Sequence, residues 1–421
     1  MKGETATAII ISLDENTQEI VQLADTLGYF ITKIFLQYKI TPDVNYFIGS
    51  GKVEEINDYL QDTTIDLVII NGELKPSQWF VLEKTFGKTV YDRIRLILAI
   101  FEKRAERKEA QLQVKLAQLH YERPFVRELI HRARAGEHPG FMAGGEYQVD
   151  DYYEMIKKQM KTITKTLQKI SINRDLQRKT RYKSGYYLVS LAGYTNAGKS
   201  SLLNLLSGEQ VKVEGKLFST LSTTTRRLQT KSLPILLTDT VGFIENLPSW
   251  IIDAFHSTLE ELEVADVIVL VVDGSEPQEI VAKKLHVSLD ELRELGSTSS
   301  LVLAFNKMDI RSSQEIDELL SYLQREDLLT TSSIACISVK EQHHIDTLLH
   351  LIYASLPNLV TLKLVLPLNN ASQAFVSHLY QKTNVLHISY EKEIIAKIQC
   401  NIKIKDKILA QCLHLNGSLA Q

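Results

Sequence analysis

Near the middle of this 421-residue sequence, the apolar run Tyr187–Ala192 leads into Gly193-Tyr194-Thr195-Asn196-Ala197-Gly198-Lys199-Ser200, followed by the amphipathic stretch Ser201–Leu206. Strand, glycine-rich loop and helix in that order are the setting a phosphate-binding loop requires. Backbone N–H groups of such a loop and of the helix N-terminus point at the phosphates, where the helix dipole favours negative charge. Gly193 and Gly198 let the main chain approach without a Cβ in the way. Lys199 is expected to reach the β- and γ-phosphates, and the Ser200 hydroxyl to ligate Mg²⁺.

Downstream residues select the nucleotide. Ile235–Leu237 is a strand run that ends in Thr238-Asp239-Thr240-Val241-Gly242. A carboxylate at a strand end, Asp239, is placed to hold Mg²⁺ through water, and the Gly242 N–H to bond the γ-phosphate. Leu301–Phe305 is a second strand run, followed by Asn306-Lys307-Met308-Asp309. A carboxylate in the plane of a guanine accepts from its N1–H and exocyclic amine; adenine offers no such pair of donors and leaves Asp309 unpaired, a mismatch that rejects strongly. Lys307 is expected along the base, with Asn306 bracing the loop. After Ile334–Ile337 comes Ser338-Val339-Lys340, where a backbone N–H meets the guanine O6. Four elements in this order, each after a strand, imply a GTP/GDP site assisted by Mg²⁺.

The polar segment Leu217–Arg227, between the phosphate loop and Asp239, is threonine-rich. One threonine here is expected to complete the Mg²⁺ shell with GTP and let go after hydrolysis. Residue physics leaves Thr220, Thr223, Thr224 and Thr225 open. Where Ras-like proteins carry a water-orienting glutamine after the Asp-x-x-Gly turn, this chain has Phe243, which neither donates nor accepts. Water positioning then falls to a backbone group, a side chain such as His256, or a partner.

The elements that position these residues follow from pattern. Ala6–Ser12, Phe30–Tyr38 and Asp66–Ile70 read as buried parallel strands, alternating with helices at Thr17–Leu27, Lys52–Leu60 and Ser77–Phe86, so residues 1–92 imply a small α/β domain. Residues 93–185 read as a helical hairpin arm. Leu112, Leu116 and Leu119 mark a face of its first helix, and Pro124 is expected to end or kink that helix. In the second helix Val149, Tyr153, Ile156, Met160, Ile163, Leu167 and Ile170 form a heptad seam. Lys157, Lys161, Lys165 and Lys169 recur every four residues on another face, with Gly136–Gly145 as a glycine-rich tip. Residues 186–356 form the nucleotide-binding domain of phosphate-loop type, and 357–421 a small α+β domain whose strands Leu362–Leu366, Val385–Tyr390 and Ile394–Cys400 flank one helix near Ser372–Tyr380.

Composition narrows the setting. The longest apolar runs, Val267–Val272 and Ile94–Phe101, are far shorter than the ~18–20 residues that span a bilayer. Glu4 ahead of the first apolar stretch argues against a secretory signal, and three scattered cysteines suit neither a disulfide scaffold nor a zinc site. A reducing cytoplasmic setting is expected. The net charge of −3 hides an asymmetry: residues 93–185 carry 21 Lys+Arg and 11 Asp+Glu, a local +10. A concentrated basic section on an otherwise acidic chain implies a polyanion partner.

Taken together, Gly193–Ser200, Asp239–Ile244, Ala254–Glu261, Phe47–Glu55, Leu74–Gln78, Asp92-Arg93 and Arg104–Leu119 resemble the HflX family of translational GTPases over roughly residues 1–356. The resemblance implies binding to the large ribosomal subunit and its RNA through the basic arm, in some members splitting stalled or idle ribosomes. It favours Thr220 as the Mg²⁺ ligand, because Phe218-Ser219-Thr220-Leu221-Ser222 fills the family's nucleotide-binding stretch. Catalysis would then rest on Lys199, Thr220 and Gly242, and the metal on Ser200, Thr220 and Asp239. The sequence departs from the family at the tip (Ala143–Tyr147), at His256 and at Val339. Gly49-Ser50-Gly51-Lys52 lacks full phosphate-loop spacing and reads as a tight turn opening a helix.

The function expected is a monomeric GTP-hydrolysing switch in translation, ribosome rescue or ribosome assembly. The alternative is a GTPase chaperone acting on a protein client. A third, an ATP-driven RNA remodeller, would bind nucleotide on residues 1–185. With Phe243 in the glutamine's place, the isolated protein should turn GTP over slowly and a partner should accelerate it. A steady-state GTPase assay measures this, and fast turnover by the protein alone would refute it.

Overall fold

The computed structural model describes residues 6–39, 41–134, 145–183, 185–208, 224–229, 233–244, 248, 250–251, 260–329, 331 and 333–420, with the backbone alone at 131–134, 145–150, 175 and 177–183. They fall into two compact units, one drawn mainly from the chain up to Ile170 and the other from Ser171 onward.

The first unit opens with β1 (Thr7–Ser12), α1 (Gln18–Leu27), β2 (Phe30–Leu36), α2 (Ser50–Asp62), β3 (Leu67–Ile70), α3 (Pro76–Phe86), β4 (Thr89–Asp92) and α4 (Arg93–Arg104). All four strands are parallel, in the order β2-β1-β3-β4. Ile9, Ile11, Val68 and Ile70 pack against Val53, Ile56 and Leu60 of α2 and Leu82 of α3. The inner strands β1 and β3 are buried, which is why they read as continuous apolar runs, whereas the edge strand β2, also expected to be buried, is largely exposed because it has a neighbour on one side only. Helix α4, placed in the arm by the sequence pattern, packs on α1, β3 and β4 as well as on the following helix, α5 (Lys108–Arg134). Its apolar residues Ile94, Leu96, Ile97, Leu98, Ile100 and Phe101 are all buried, and a helix covered nearly all round loses its amphipathic signature.

The arm is a pair of long helices, α5 (Lys108–Arg134) and α6 (Gly145–Lys183). The middle of the heptad seam is present: Ile156, with Tyr153, Met160 and Ile163, packs on Leu119, Val126 and Ile130 of α5. Of the two outcomes expected at Pro124, ending the helix does not occur, and the buried face of α5 also differs from the expected one. Pro124 lies inside the helix and does not end it. Leu119 before it and Val126 and Ile130 after it share one cluster with α6, and that packing offsets the lost backbone hydrogen bond. The more buried face is Ala110, Gln113, Val114 and Ala117, with Leu112 and Leu116 only half-buried beside it, because small residues let α5 lie close to α4. Positions 136–144 of the glycine-rich tip lie outside the described residues.

The second unit holds β5 (Tyr187–Ala192), α7 (Lys199–Ser207), β6 (Thr224–Arg227), β7 (Ile235–Asp239), β8 (Val267–Asp273), α8 (Gln278–Glu294), β9 (Ser300–Asn306), α9 (Ser313–Arg325), β10 (Ile334–Cys336) and α10 (Ile345–Ala354). Its six-stranded sheet has the order β10-β9-β8-β5-β7-β6 and is parallel except for β6.

The last domain, β11 (Leu359–Pro367), α11 (Asn370–Lys382), β12 (Asn384–Tyr390), β13 (Glu393–Asn401), α12 (Ile402–His414) and β14 (Ser418–Ala420), forms an antiparallel sheet in the order β12-β13-β11-β14. This βαββαβ path is the ferredoxin-like arrangement. One helix was expected here and two are present. Ile402 and Ile404 alternate with lysines and mimic a strand, yet burial follows the helical set Ile404, Ile408 and Cys412.

Asp92 joins strand to helix in the first domain. It ends β4, caps α4 by accepting from the Arg95 N–H at 2.8 Å, and accepts from the Leu74 N–H at 3.1 Å. Burial pushes its carboxyl up to about 6, against the lowering effect of those hydrogen bonds. Between its unfolded value near 3.8 and about 6 the folded chain holds the extra proton, so this group's contribution to stability is lost as pH rises through that window. Replacing Asp92→Asn should flatten the stability profile between pH 4 and 6 in urea titrations; a slope identical to the parent's would refute the assignment.

Candidate guanine-nucleotide site

The parallel strands of the second unit bring the expected motifs to one edge, because each motif follows its strand's carboxyl end. At the loop after β5, Gly193 and Gly198 have φ of +132° and +99°. A Cβ at Gly198 would lie 2.3 Å from the Asn306 amide nitrogen, so glycine is needed for approach as well as for conformation. Asn196 also takes a left-handed conformation, φ +64°, which asparagine tolerates better than most residues. The Lys199 ammonium is buried and donates to the Gly193 and Tyr194 carbonyls, each at 2.9 Å. Burial lowers its pKa to about 8, with the Asp239 carboxylate acting in the opposite direction.

Ser200 Oγ donates to Asp239 Oδ2 at 2.6 Å, so the two expected metal ligands are adjacent. Asp239 ends β7 and is buried; the next residue, Thr240, anchors its hydroxyl on the Leu191 carbonyl at 2.8 Å. Val241 is buried behind the turn. Gly242 sits where a Cβ would meet Lys199 Nζ at 2.9 Å, so only glycine lets this turn close over the lysine. Phe243 buries its side chain and pairs its backbone with the phosphate loop: its N–H donates to the Gly193 carbonyl at 3.0 Å and its carbonyl accepts from Thr195 N–H at 2.9 Å. The Thr195 hydroxyl is buried with no partner among the described residues, a polar group whose hydrogen bonding is left to whatever the loop encloses.

The base-reading segment is braced as expected. Asn306 Nδ2 donates to the Ala197 carbonyl at 2.9 Å, and its Oδ1 accepts from Val339 N–H at 3.0 Å. One buried amide therefore ties the phosphate loop to the Ser338–Lys340 segment. Met308 is buried with its N–H on the Ile337 carbonyl at 3.1 Å. Asp309 lies at the surface, and a hydrogen bond from the Ser338 side chain, foremost, holds its carboxyl below the ordinary range. Lys307 pairs with Asp273 at 2.5 Å. The Lys340 side chain is exposed beside Glu341.

Phe218–Ser222 with Thr220, Thr223 and His256 lie outside the described residues. Thr224 and Thr225 belong to β6, where Thr225 Oγ1 is 3.0 Å from Thr238 Oγ1. Sequence reasoning missed a supporting layer. Asp273, at the end of β8, receives Lys307 and the Ser275 hydroxyl, the latter at 2.6 Å. Arg311 donates to the Gly274 and Glu276 carbonyls, while Lys284 pairs with Glu276 at 2.6 Å and lies 5.0 Å from the Tyr194 ring centre. The signal was a carboxylate, Asp273, closing the buried run Val267–Val272 just as Asp239 closes its own strand.

Asn306→Ala deletes both bridging hydrogen bonds and leaves two backbone groups without their partner. At about 1–3 kcal/mol, guanine-nucleotide affinity should fall roughly 10- to 100-fold by calorimetry. An unchanged Kd would mean that the loop and the base segment are positioned independently.

Comparison with known proteins agrees with this arrangement. Residues 14–102 match a family described as GTP-binding GTPase N-terminal, 104–181 one described as GTP-binding GTPase middle region, and 188–307 one described as 50S ribosome-binding GTPase. The GTPase HflX of Thermococcus kodakarensis is 42% identical over 77% of this chain and 74% of its own length. That of Methanocaldococcus jannaschii is 42% identical over 74% of this chain and 76% of its own. The solved structure of SsGBP in complex with GDP is 27% identical, covers 83% of this chain and 98% of its own, and superposes with a TM-score of 0.52. With three consecutive regions matched and likeness spread over most of each relative, this chain is a guanine-nucleotide-binding GTPase that belongs to the HflX family.

Proposed function

We propose that this chain is a Mg²⁺-dependent GTP switch of the cytoplasm that associates, as a monomer, with the large ribosomal subunit and acts in translation, ribosome rescue and splitting, or ribosome biogenesis. The observation that carries the nucleotide half is the Asn306 bridge, which links the phosphate loop and the base segment into one cradle. In this reading Gly193–Ser200 wraps the phosphates, with Thr195 Oγ1 offering its hydrogen bond there. Lys199 and the Gly242 N–H stabilise charge on the γ-phosphate, and Phe218–Ser222 closes over the nucleotide. Asp239–Gly242 senses the γ-phosphate, while Asn306–Asp309 and Ser338–Lys340 read the guanine.

The donor set suits a hard cation: a hydroxyl from Ser200 and a carboxylate from Asp239, all oxygen, with Thr220 as the third protein ligand. Bound there, Mg²⁺ would neutralise charge developing between the β- and γ-phosphates. Phe243 offers no polar atom from its buried side chain, which supports slow intrinsic hydrolysis with the attacking water ordered by the backbone or a partner.

For the ribosome half the support is charge and exposure. Lys157, Lys161, Lys165 and Lys169 are exposed on α6 while the seam residues face α5. Among the described residues only Lys157 of these four has a carboxylate partner, Glu154 at 2.8 Å, and an exposed pair of this kind is worth little. Trp250 stacks on His120 of α5 with ring centres 6.3 Å apart, a contact within the first unit. Phosphate contacts would supply affinity and RNA shape selectivity.

Co-sedimentation with purified large subunits should require a GTP analogue rather than GDP and weaken steeply with salt. Reversing Lys157, Lys161, Lys165 and Lys169 to glutamate should abolish it. Insensitivity to nucleotide, salt and charge reversal would overturn the ribosome reading in favour of a protein client.

A further inference from the structure

The C-terminal ferredoxin-like sheet has one covered face and one open face. Leu362, Leu364 and Leu366 of β11 and Ile394, Ala396, Ile398 and Cys400 of β13 pack with Phe375, Val376 and Leu379 of α11 and Ile404, Ile408 and Cys412 of α12. Both helices therefore lie on the same side. The alternate residues, Thr361, Lys363 and Val365 on β11 and Ile395, Lys397 and Gln399 on β13, point the other way and are exposed or half-buried.

The register on that open face is unusual. Lys363 and Lys397 stand directly opposite each other on the two central strands, and His387 of β12 stands opposite Lys397 on its other side. Adjacent strands are about 4.8 Å apart, so the three side chains form a row roughly 10 Å long. Like charges directly opposite destabilise a sheet. Neither lysine has an ion-pair partner among the described residues, and Glu393, the nearest carboxylate on that face of β13, is four residues from Lys397, about 13 Å away. The rows on either side are uncharged: Thr361 faces Gln399, itself 3.1 Å from the Asn384 amide, and Ser389 faces Ile395. The whole segment 357–421 carries seven Lys+Arg against three Asp+Glu, a balance of +4 in a chain of net −3.

The domain is held from elsewhere, which leaves this face uncovered. Lys403, at the start of α12, pairs with Asp266 at 3.6 Å, and Asp266 Oδ2 also accepts from the Leu188 N–H at 2.8 Å. Asp266 precedes β8, so the tether lies at the edge of the nucleotide-binding sheet away from the phosphate loop.

We propose that the open face of the C-terminal sheet, centred on the Lys363–Lys397 pair and flanked by His387, is a second RNA-binding surface that takes a single-stranded RNA segment. The two ammonium groups meet successive phosphates, and a bound polyanion removes their mutual repulsion. Thr361, Gln399, Asn384 and Ser389 supply the hydroxyl and amide groups that meet sugar 2′-OH and base edges. The central strands present no aromatic side chain on this face, so affinity comes from phosphates rather than from base stacking, and it should fall with salt at about 0.7 per phosphate contact. The inference stands apart from the nucleotide site and from the lysine face of α6.

The test is fluorescence anisotropy of the full-length chain with a fluorescein-labelled 12-nucleotide single-stranded RNA. It is run in two backgrounds, the native arm and the arm with Lys157, Lys161, Lys165 and Lys169 reversed to glutamate. In both, K363E/K397E should weaken binding at least ten-fold and lower the slope of log K against log salt by about 1.4, for two lost contacts. The neutral pair K363Q/K397Q should show the same slope change with a smaller loss, and covers the case in which the acidic pair fails to fold. GTPase rate should match the parent's, and the melting temperature of the neutral pair should be no lower than the parent's, because its opposed charges are gone. Affinity and slope unchanged by the neutral pair in both backgrounds would overturn the proposal. So would displacement of the RNA by a poly-glutamate peptide as readily as by unlabelled RNA of equal charge, which would identify the face as a site for an acidic protein. Loss of large-subunit binding on arm reversal, with these anisotropy effects intact, separates this surface from the arm.

Discussion

Everything at the nucleotide site depends on one constraint: β5, β7, β8, β9 and β10 run parallel, so their carboxyl ends gather along a single edge of the sheet. Parallel strands cannot be joined by tight turns, and each crossover returns the chain so that the next motif begins beside the last. Residues more than a hundred positions apart then meet. Asn306 reaches Ala197 across 109 residues and Val339 across 33. A single amide closes the cradle because its oxygen and its nitrogen are used on different loops.

Within that frame the electrostatics are set by burial. Lys199 is taken almost wholly out of water and given two carbonyl oxygens in place of its hydration shell, which satisfies two of its three N–H donors without neutralising its charge. A buried cation held by dipoles strongly favours an anion in front of it, and the field is assembled before any phosphate arrives. Gly242 is sterically sensitive as well, since a Cβ there would meet Thr195 and that same ammonium.

The arm and the C-terminal domain solve a different problem, presenting charge without burying it. In α6 the seam on one face fixes the helix against α5, and the lysines on another are left to solvent. In the terminal domain the same division is made by a sheet, with apolar positions of period two beneath the helices and Lys363 and Lys397 on the reverse. Helix and strand periodicities thus serve one end.

The sequence alone determined the motif order around Gly193–Ser200, Asp239–Gly242, Asn306–Asp309 and Ser338–Lys340, the parallel character of the first α/β sheet, and the middle of the α6 seam. All of these are local: a loop after an apolar run, or a repeat within one helix, is visible in the residues themselves. Tertiary structure decided what depends on neighbours. Pro124 sits inside α5 because residues on both sides of it bury against α6, and α4 joins the first sheet because nearly its whole surface is covered. Helix α12 forms because Ile404, Ile408 and Cys412 find the sheet, although the alternating isoleucines and lysines before them spell a strand. The Asp273–Lys307 pair and the opposed lysines of β11 and β13 are likewise matters of register. Periodicity reports which face of a segment is apolar, whereas partners across the fold decide whether that face is used.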